Sequence, residues 1–370
     1  MNLICLQENL KRALNITGRI IGRNLTLPIL NNILLIIDNN KLKISSTNLE
    51  IGINTWVPGK IETKGGITVP SKIIGDFINN LPNKKIEIKT KNNQLILKCE
   101  KLKAVLNGLP VDDYPIIPKI KDKPIIKISS NILKDSFSQV VEMASLSESR
   151  PEISGILMKF NNKSIKLAAT DSFRLGEKNI EVESKIEKEN SVIIPQRTIQ
   201  ELIRILSEKE DGSEQEVDII LSNNQILFDL GNTQIISRLI DGQYPDYQQI
   251  IPIKTQTQVV VDKKELINNI KIASLFSGKT NDIKIIIEPT KSSLEISSKN
   301  ADIGENKSQI KAEIKGGKLE VFFNYRYLLD GLNNIFSDKV EIGLNDGLKP
   351  VLIRPIGDID YTYIIMPIRV

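Results

Sequence analysis

The sequence predicts an α+β protein built from three copies of one domain, each copy packing two amphipathic helices on antiparallel sheets. Three observations carry this prediction. A pattern of alternating strand, small polar cluster, Asn or Asp, then Gly occurs as NNKLKISSTNLEIG, NKSIKLAATDSFRLG and KSSLEISSKNADIG; its final glycines, Gly52, Gly176 and Gly304, lie 124 and 128 residues apart. A second pattern, a strand running into an amphipathic helix, occurs as ITVPSKIIGDFINNL, VIIPQRTIQELIRIL and VFFNYRYLLDGLNNI; its hinges, Pro70, Pro195 and Asn324, lie 125 and 129 apart. Solenoid repeats have periods of roughly 20 to 50 residues, so a period this long marks repetition of a whole domain. Finally, 370 residues exceed what one hydrophobic core sustains.

Pro-rich stretches DDYPIIPKIKDKP and DGQYPDYQQIIPIK set domain edges, giving expected domains at residues 1–121, 122–252 and 253–370. Each domain halves again into a helix followed by two or three alternating strands. The helices of the first are LQENLKRALNITG and SKIIGDFINNL; of the second, NILKDSFSQVVEMAS and QRTIQELIRIL; of the third, DKKELINNIKIAS and NYRYLLDGLNNIF. In the fourth helix Ile199, Leu202, Ile203 and Leu206 follow helical spacing and form a buried stripe, as Leu266, Ile267 and Ile270 do in the fifth. The chain ends in YIIMPIRV, although termini are commonly polar and frayed. That octet is either a last core strand or a surface held for another molecule.

Composition narrows the function. A formal net charge of +5 allows a polyanionic partner without requiring one. The two cysteines, Cys5 and Cys99, are far apart and read as reduced core thiols of a cytosolic protein. Apolar runs are of strand length, and no signal peptide or membrane span is expected. Histidine is absent, which removes the commonest general base and metal ligand. No phosphate-binding loop motif occurs; the glycines of IKGGKLE precede a strand, so no helix N-terminus follows them to hold a phosphate. Asp112 and Asp113 are adjacent in a turn, and Ser172 has no recognisable base. No catalytic residue, metal or cofactor is therefore expected.

The outer helix faces share one chemistry. The first helix offers Lys11, Asn15 and Arg19; the second, Lys72 and Asn79; the third begins with Lys134 and is followed by Arg150. The fourth offers Arg197, Gln200 and Arg204, the fifth Lys264, Asn268 and Lys271, and the sixth Arg326 and Asn333. No large apolar residue is expected on these faces. For one helix this is an ordinary solvated surface, and acids such as Asp76, Asp135, Glu142, Glu201 and Asp330 dilute the field. Repeated six times, it fits a diffuse phosphate-facing surface that binds without sequence preference and loosens with salt.

TLPILNNILL, LAATDSFRLGEKNI, SRLIDGQYPDY and YIIMPIRV resemble the beta subunit of bacterial DNA polymerase III, the sliding-clamp family, and the resemblance runs through the whole chain in order. It implies a head-to-tail homodimeric ring of clamp domains around duplex DNA, helices inside and sheets outside. Such a ring is a non-catalytic, cytoplasmic processivity factor. Its partners would be the DNA polymerase III alpha subunit, the clamp loader, and other polymerases and repair proteins carrying clamp-binding motifs. The resemblance adds Arg23 to the DNA-facing residues. It implies a partner-peptide pocket of Ile153, Thr170, Ser172, Phe173, Arg174, Leu175, Pro245, Gln249, Ile250, Leu348 and Pro350, closed by Ile364, Ile365, Met366, Pro367, Ile368 and Arg369. It also implies that Lys103, Ala104 and Leu106 of one chain meet Ser274 and Leu275 of the next. Ser172 and Phe173 stand where some members have Gly and His, Gln249 where Arg is frequent, and Ile368 and Val370 where Met and Leu occur. Ser147 and Pro151 also depart, standing where some members have Gln and Tyr. The alternative is a repeat-built protein-interaction scaffold that does not encircle DNA.

Overall fold

A computed structural model describes residues 1–22, 26–147, 149–182, 189–208 and 215–369. Among the described residues, six helices, α1 (Gln7–Gly18), α2 (Ser71–Asn79), α3 (Ser130–Val140), α4 (Gln196–Ser207), α5 (Lys263–Ser274) and α6 (Tyr325–Asn333), lie among antiparallel sheets. The chain forms two compact units, residues 1–131 with 204–239 and residues 132–203 with 240–370. The central repeat is thus divided, each unit taking part of it.

In the first unit, a five-stranded sheet runs in the order Lys60–Thr63, Asn2–Leu6, Lys85–Lys91, Gln94–Cys99, Leu102–Asn107. An eight-stranded sheet joins the first repeat to the central one, with Thr233–Arg238 beside Ile51–Val57 and Gly52 opposite Ile236. In α1, Leu10, Ala13, Leu14 and Thr17 are buried at helical spacing. Leu10, Ala13 and Leu14 share one apolar cluster with Ile74 and Ile78 of α2 and with Leu3, Ile33, Ile86 and Leu97 from both sheets.

The second unit repeats the plan. Its nine-stranded sheet places Tyr361–Ile365 between Arg174–Glu181 and Val351–Pro355, with Leu175 opposite Ile364. A four-stranded sheet has the order Gly304–Lys311, Ser293–Asn300, Asp282–Glu288, Leu319–Asn324. In α6, Leu328, Gly331 and Leu332 face inward, and a Cβ on Gly331 would lie 2.3 Å from Tyr363 Cε1. Only glycine lets the helix approach that ring.

All three hinge residues end a strand and precede a helix, as their common spacing predicts. Asn324 caps α6, its Oδ1 accepting from the N–H of Arg326. In α4, Ile199, Leu202 and Leu206 are buried, but Ile205 is buried and Ile203 only half-buried, so the stripe is shifted from the expected one. The expectation of outer faces without large apolar residues fails at Ile73, Ile132 and Ile272, all exposed. A two- or three-turn helix buries one narrow stripe, and an apolar residue beside it stays in water. Among the described residues, no helix is long and apolar enough to cross a membrane.

Candidate functional site

The second unit fixes a tight turn at Thr170–Leu175. Asp171 Oδ1 accepts from the N–H groups of Phe173 and Arg174 at 2.9 and 3.0 Å. The Thr170 hydroxyl donates to the Arg174 carbonyl at 2.6 Å and accepts from the Ser172 N–H at 3.1 Å. Ser172 sits at φ +78°, the left-handed region that suits glycine. The turn leaves Phe173 59% exposed. Thr47–Gly52 folds the same way: Asn48 Oδ1 accepts from Glu50 and Ile51, Thr47 bonds the Ile51 carbonyl, and Leu49 has φ +77°. By this geometry Gly52 matches Leu175 and not Gly176, one residue off the register the sequence pattern suggests.

Arg174 holds the turn in place. Its Nε bonds Asp171 Oδ2 at 3.0 Å, one terminal nitrogen bonds Asp330, the other donates to the Glu142 carbonyl at 2.8 Å, and the guanidinium lies 4.6 Å from the Tyr327 ring centre. Phe173 stacks on the same ring at 6.4 Å. With 11% of its side chain exposed, Arg174 is a brace of the site. Arg150 joins it: assigned by sequence to the helix faces, it donates to Ser172 Oγ at 2.9 Å and pairs with Glu152.

Below the turn lies an apolar floor. Leu175 and Ile364 pack with Leu157, Ala168, Ile193, Leu352 and Tyr247, with Tyr244 and Ile251 against them. The Tyr247 hydroxyl donates to Glu177 at 2.6 Å. Burial pushes the phenols of Tyr244, Tyr247 and Tyr363 above their usual range, and the Glu177 carboxylate adds to the Tyr247 shift. All three stay neutral at physiological pH, and Tyr247 and Tyr363 act as donors.

The terminal octet divides. Tyr363, Ile364 and Ile365 are buried in the sheet, and the Tyr363 hydroxyl donates to the Tyr327 carbonyl at 2.7 Å. Beyond them Met366 N–H donates to Phe173 O and Ile368 N–H to Phe322 O, both at 2.8 Å. Met366, Pro367 and Ile368 are half-buried and Arg369 is exposed. The loop before Val351 rests on the same strand as Ile368: a Cβ on Gly347 would lie 2.6 Å from Glu320 O. In that loop Asp346 Oδ1 accepts from Leu348 and Lys349, leaving Leu348 57% exposed and Pro350 half-buried. Ile250 is 42% exposed, Pro245 half-buried, and Gln249 bonds Asp246 at 2.8 Å. Thr170, Ile153 and Ile365 are buried and lend shape, not contact surface. Sequence reading missed Tyr327, Tyr244 and Tyr247 and set Asp330 among the acids of the outer helix faces, where it instead bonds Arg174; of the missed residues only the two tyrosines of QYPDY carried a signal, an aromatic pair beside a proline.

Known protein families match the chain in three successive segments. The DNA polymerase III beta subunit N-terminal, central and C-terminal domain families match residues 1–118, 127–246 and 248–369. The chain belongs to the DNA polymerase III beta subunit family. It is 31% identical over 366 residues to the beta sliding clamp of Staphylococcus aureus, covering 96% of each chain, and 29% identical to that of Synechococcus elongatus, covering 100% and 99%. Its fold matches the DNA polymerase sliding clamps of Bacillus subtilis (TM-score 0.95, 29% identity, coverage 100% and 99%) and Pseudomonas aeruginosa (TM-score 0.93, 26% identity, complete coverage of both). As a sliding clamp the chain is a non-catalytic processivity factor.

The clamp's other expected surfaces are mixed. Lys11, Arg19, Lys72, Arg197, Lys264, Lys271 and Arg326 are exposed, and Lys134 is half-buried 3.4 Å from Asp135. Arg204 departs from the expected outer face. It is half-buried, paired with Glu208, and donates to the Ile16 carbonyl at 3.1 Å, so it caps the last turn of α1. Arg23 lies outside the described residues. Lys103, Ala104 and Leu106 lie on Leu102–Asn107, an unpaired sheet edge, but Ala104 and Leu106 face the core while Val105 and Leu102 are exposed. Ser274 ends α5, and Leu275 after it is 69% exposed.

Proposed function

We propose that this clamp works as a head-to-tail homodimeric ring that encircles duplex DNA without reading its sequence. Partner proteins dock on it by short apolar motifs: the DNA polymerase III alpha subunit, the clamp loader, and other polymerases and repair proteins. The observation that carries the docking reading is the turn that Arg174 locks, which holds Phe173 exposed beside the apolar floor of Leu175 and Ile364, with Ile250 and Leu348 also exposed on the neighbouring segments. Exposed apolar side chains grouped on a rigid frame are what a short peptide needs for its anchors.

Two further features support the ring. The Leu102–Asn107 edge offers unpaired backbone groups with Leu102 and Val105 beside them, and edges of this kind are covered in stable assemblies. Exposed lysines and arginines recur on five of the helices or immediately after them, with no dense basic block, which suits loose contact with phosphates. We place the domains at 1–121, 122–252 and 253–370, and the protein in the cytoplasm. Retention on DNA tests the ring against a scaffold that never encircles DNA. Once loaded, the clamp should stay on a closed circle through gel filtration and leave after the circle is cut. Equal retention on both forms would exclude encirclement.

A further inference from the structure

The two long sheets place the first junction between repeats in the same register as the second. Gly52 lies opposite Ile236 as Leu175 lies opposite Ile364, and Leu227 lies opposite Ile236 as Leu352 lies opposite Ile364. The backbone agrees: Arg238 N–H donates to Glu50 O at 2.9 Å, as Met366 N–H does to Phe173 O at 2.8 Å. The floor of the docking site therefore exists twice, with Gly52 in the place of Leu175.

At the first junction the missing side chain is supplied by the chain's own linker. A Cβ on Gly52 would lie 2.8 Å from Ile117 Cγ2, and Ile117 and Ile120 pack against the buried trio Ile220, Leu227 and Ile236. Tyr114-Pro115 opens this linker as Tyr244-Pro245 opens the second. There the residue matching Ile117 is Tyr247, tied to Glu177, and the floor beneath it is Leu175. The residue matching Ile120 is Ile250, which is exposed where Ile120 is half-buried.

We propose that the first junction is a latent peptide groove, closed by Ile117 of the linker, and that removing this side chain opens a second site for apolar peptides. The proposal rests on the reading that partner peptides dock at the second junction. A short tether presents its side chain at an effective concentration of roughly millimolar, so a free peptide of ordinary affinity meets a filled groove. The rim also differs. Exposed Glu50 and Arg238 stand where the second junction has Phe173 and Met366, so the opened groove should bind the same peptide more weakly.

The test is peptide stoichiometry by isothermal titration, using one fluorescent peptide that carries a clamp-binding motif. The proteins are the full-length wild type, Ile117→Ser, and Ile117→Ser with Gly52→Leu, which restores a packed floor if the single change does not fold. The expected result is one peptide per wild-type chain and two per variant chain. The second should persist when residues 366–370 are deleted. One peptide per chain in folded variants, where the wild type also binds one, would overturn the proposal. A wild type that binds none would instead sink the docking reading; the latent groove falls with it only if the variants also bind none.

Discussion

Arg174 decides whether the Thr170–Leu175 turn is rigid. Its guanidinium satisfies Asp171, Asp330 and the Glu142 carbonyl at once, with Asp171 only 14% exposed. Arg174→Ala leaves these acceptors short of a partner, and hydrogen bonds to charged groups are worth about 1.5–3 kcal/mol each net. The expected loss is about 2 kcal/mol in urea unfolding, with at least a tenfold fall in peptide affinity. Arg174→Lys should recover only part of both, since an ammonium cannot span the planar fork's partners. Wild-type peptide affinity in Arg174→Ala would show that the turn holds without its brace. The sequence marked TDSFRLG as a small polar cluster with an Asp, and the family resemblance put Gly in some members at Ser172, whose φ of +78° agrees. It could not display the brace, because Asp330 and Tyr327 come from a helix more than 150 residues away.

At the scale of elements, repeat spacing made the strands and helices legible, because burial alternates locally and the strand-to-helix hinges recur at near-constant intervals. Which strands join across repeats was not legible, because sheet pairing is non-local: only register shows Gly52 opposite Ile236. The edge strand illustrates the limit. Its alternation turns Leu106 to the core and Val105 outward, so Val105→Asp with Leu275→Asp tests the dimer without emptying the core. Light scattering should report monomers, and a stable dimer would remove this edge from the interface. The C-terminal strap makes the second test. Deleting residues 366–370 removes Met366 and Ile368 but leaves the Tyr361–Ile365 strand in its sheet. Full burial of one such side chain is worth about 1.5–3 kcal/mol. Losing two should weaken a peptide by roughly a hundredfold, at about 1.4 kcal/mol per tenfold. The dimer should persist. Unchanged peptide affinity in the truncated dimer would make the octet a core strand and nothing more.

For the whole molecule, the question is whether a formal net charge of +5 acts as a bulk field or through particular lysine–phosphate pairs. Lys11, Lys72, Lys264 and Lys271 are exposed on three different helices, and replacing all four with Ala still leaves the chain net positive. A bulk attraction would therefore survive in weakened form, whereas specific pairs would disappear one by one. Each phosphate that is no longer neutralised lowers the slope of log affinity against log salt by about 0.9. Single Ala variants should bind duplex DNA almost as the wild type does. The quadruple variant should show a clearly shallower slope and faster release from circular DNA as salt rises, with no change in sequence preference. Should its slope and retention match the wild type, these four lysines are solvated surface only. The side chains that hold DNA would then have to be others, such as Arg19, Arg197 or Arg326.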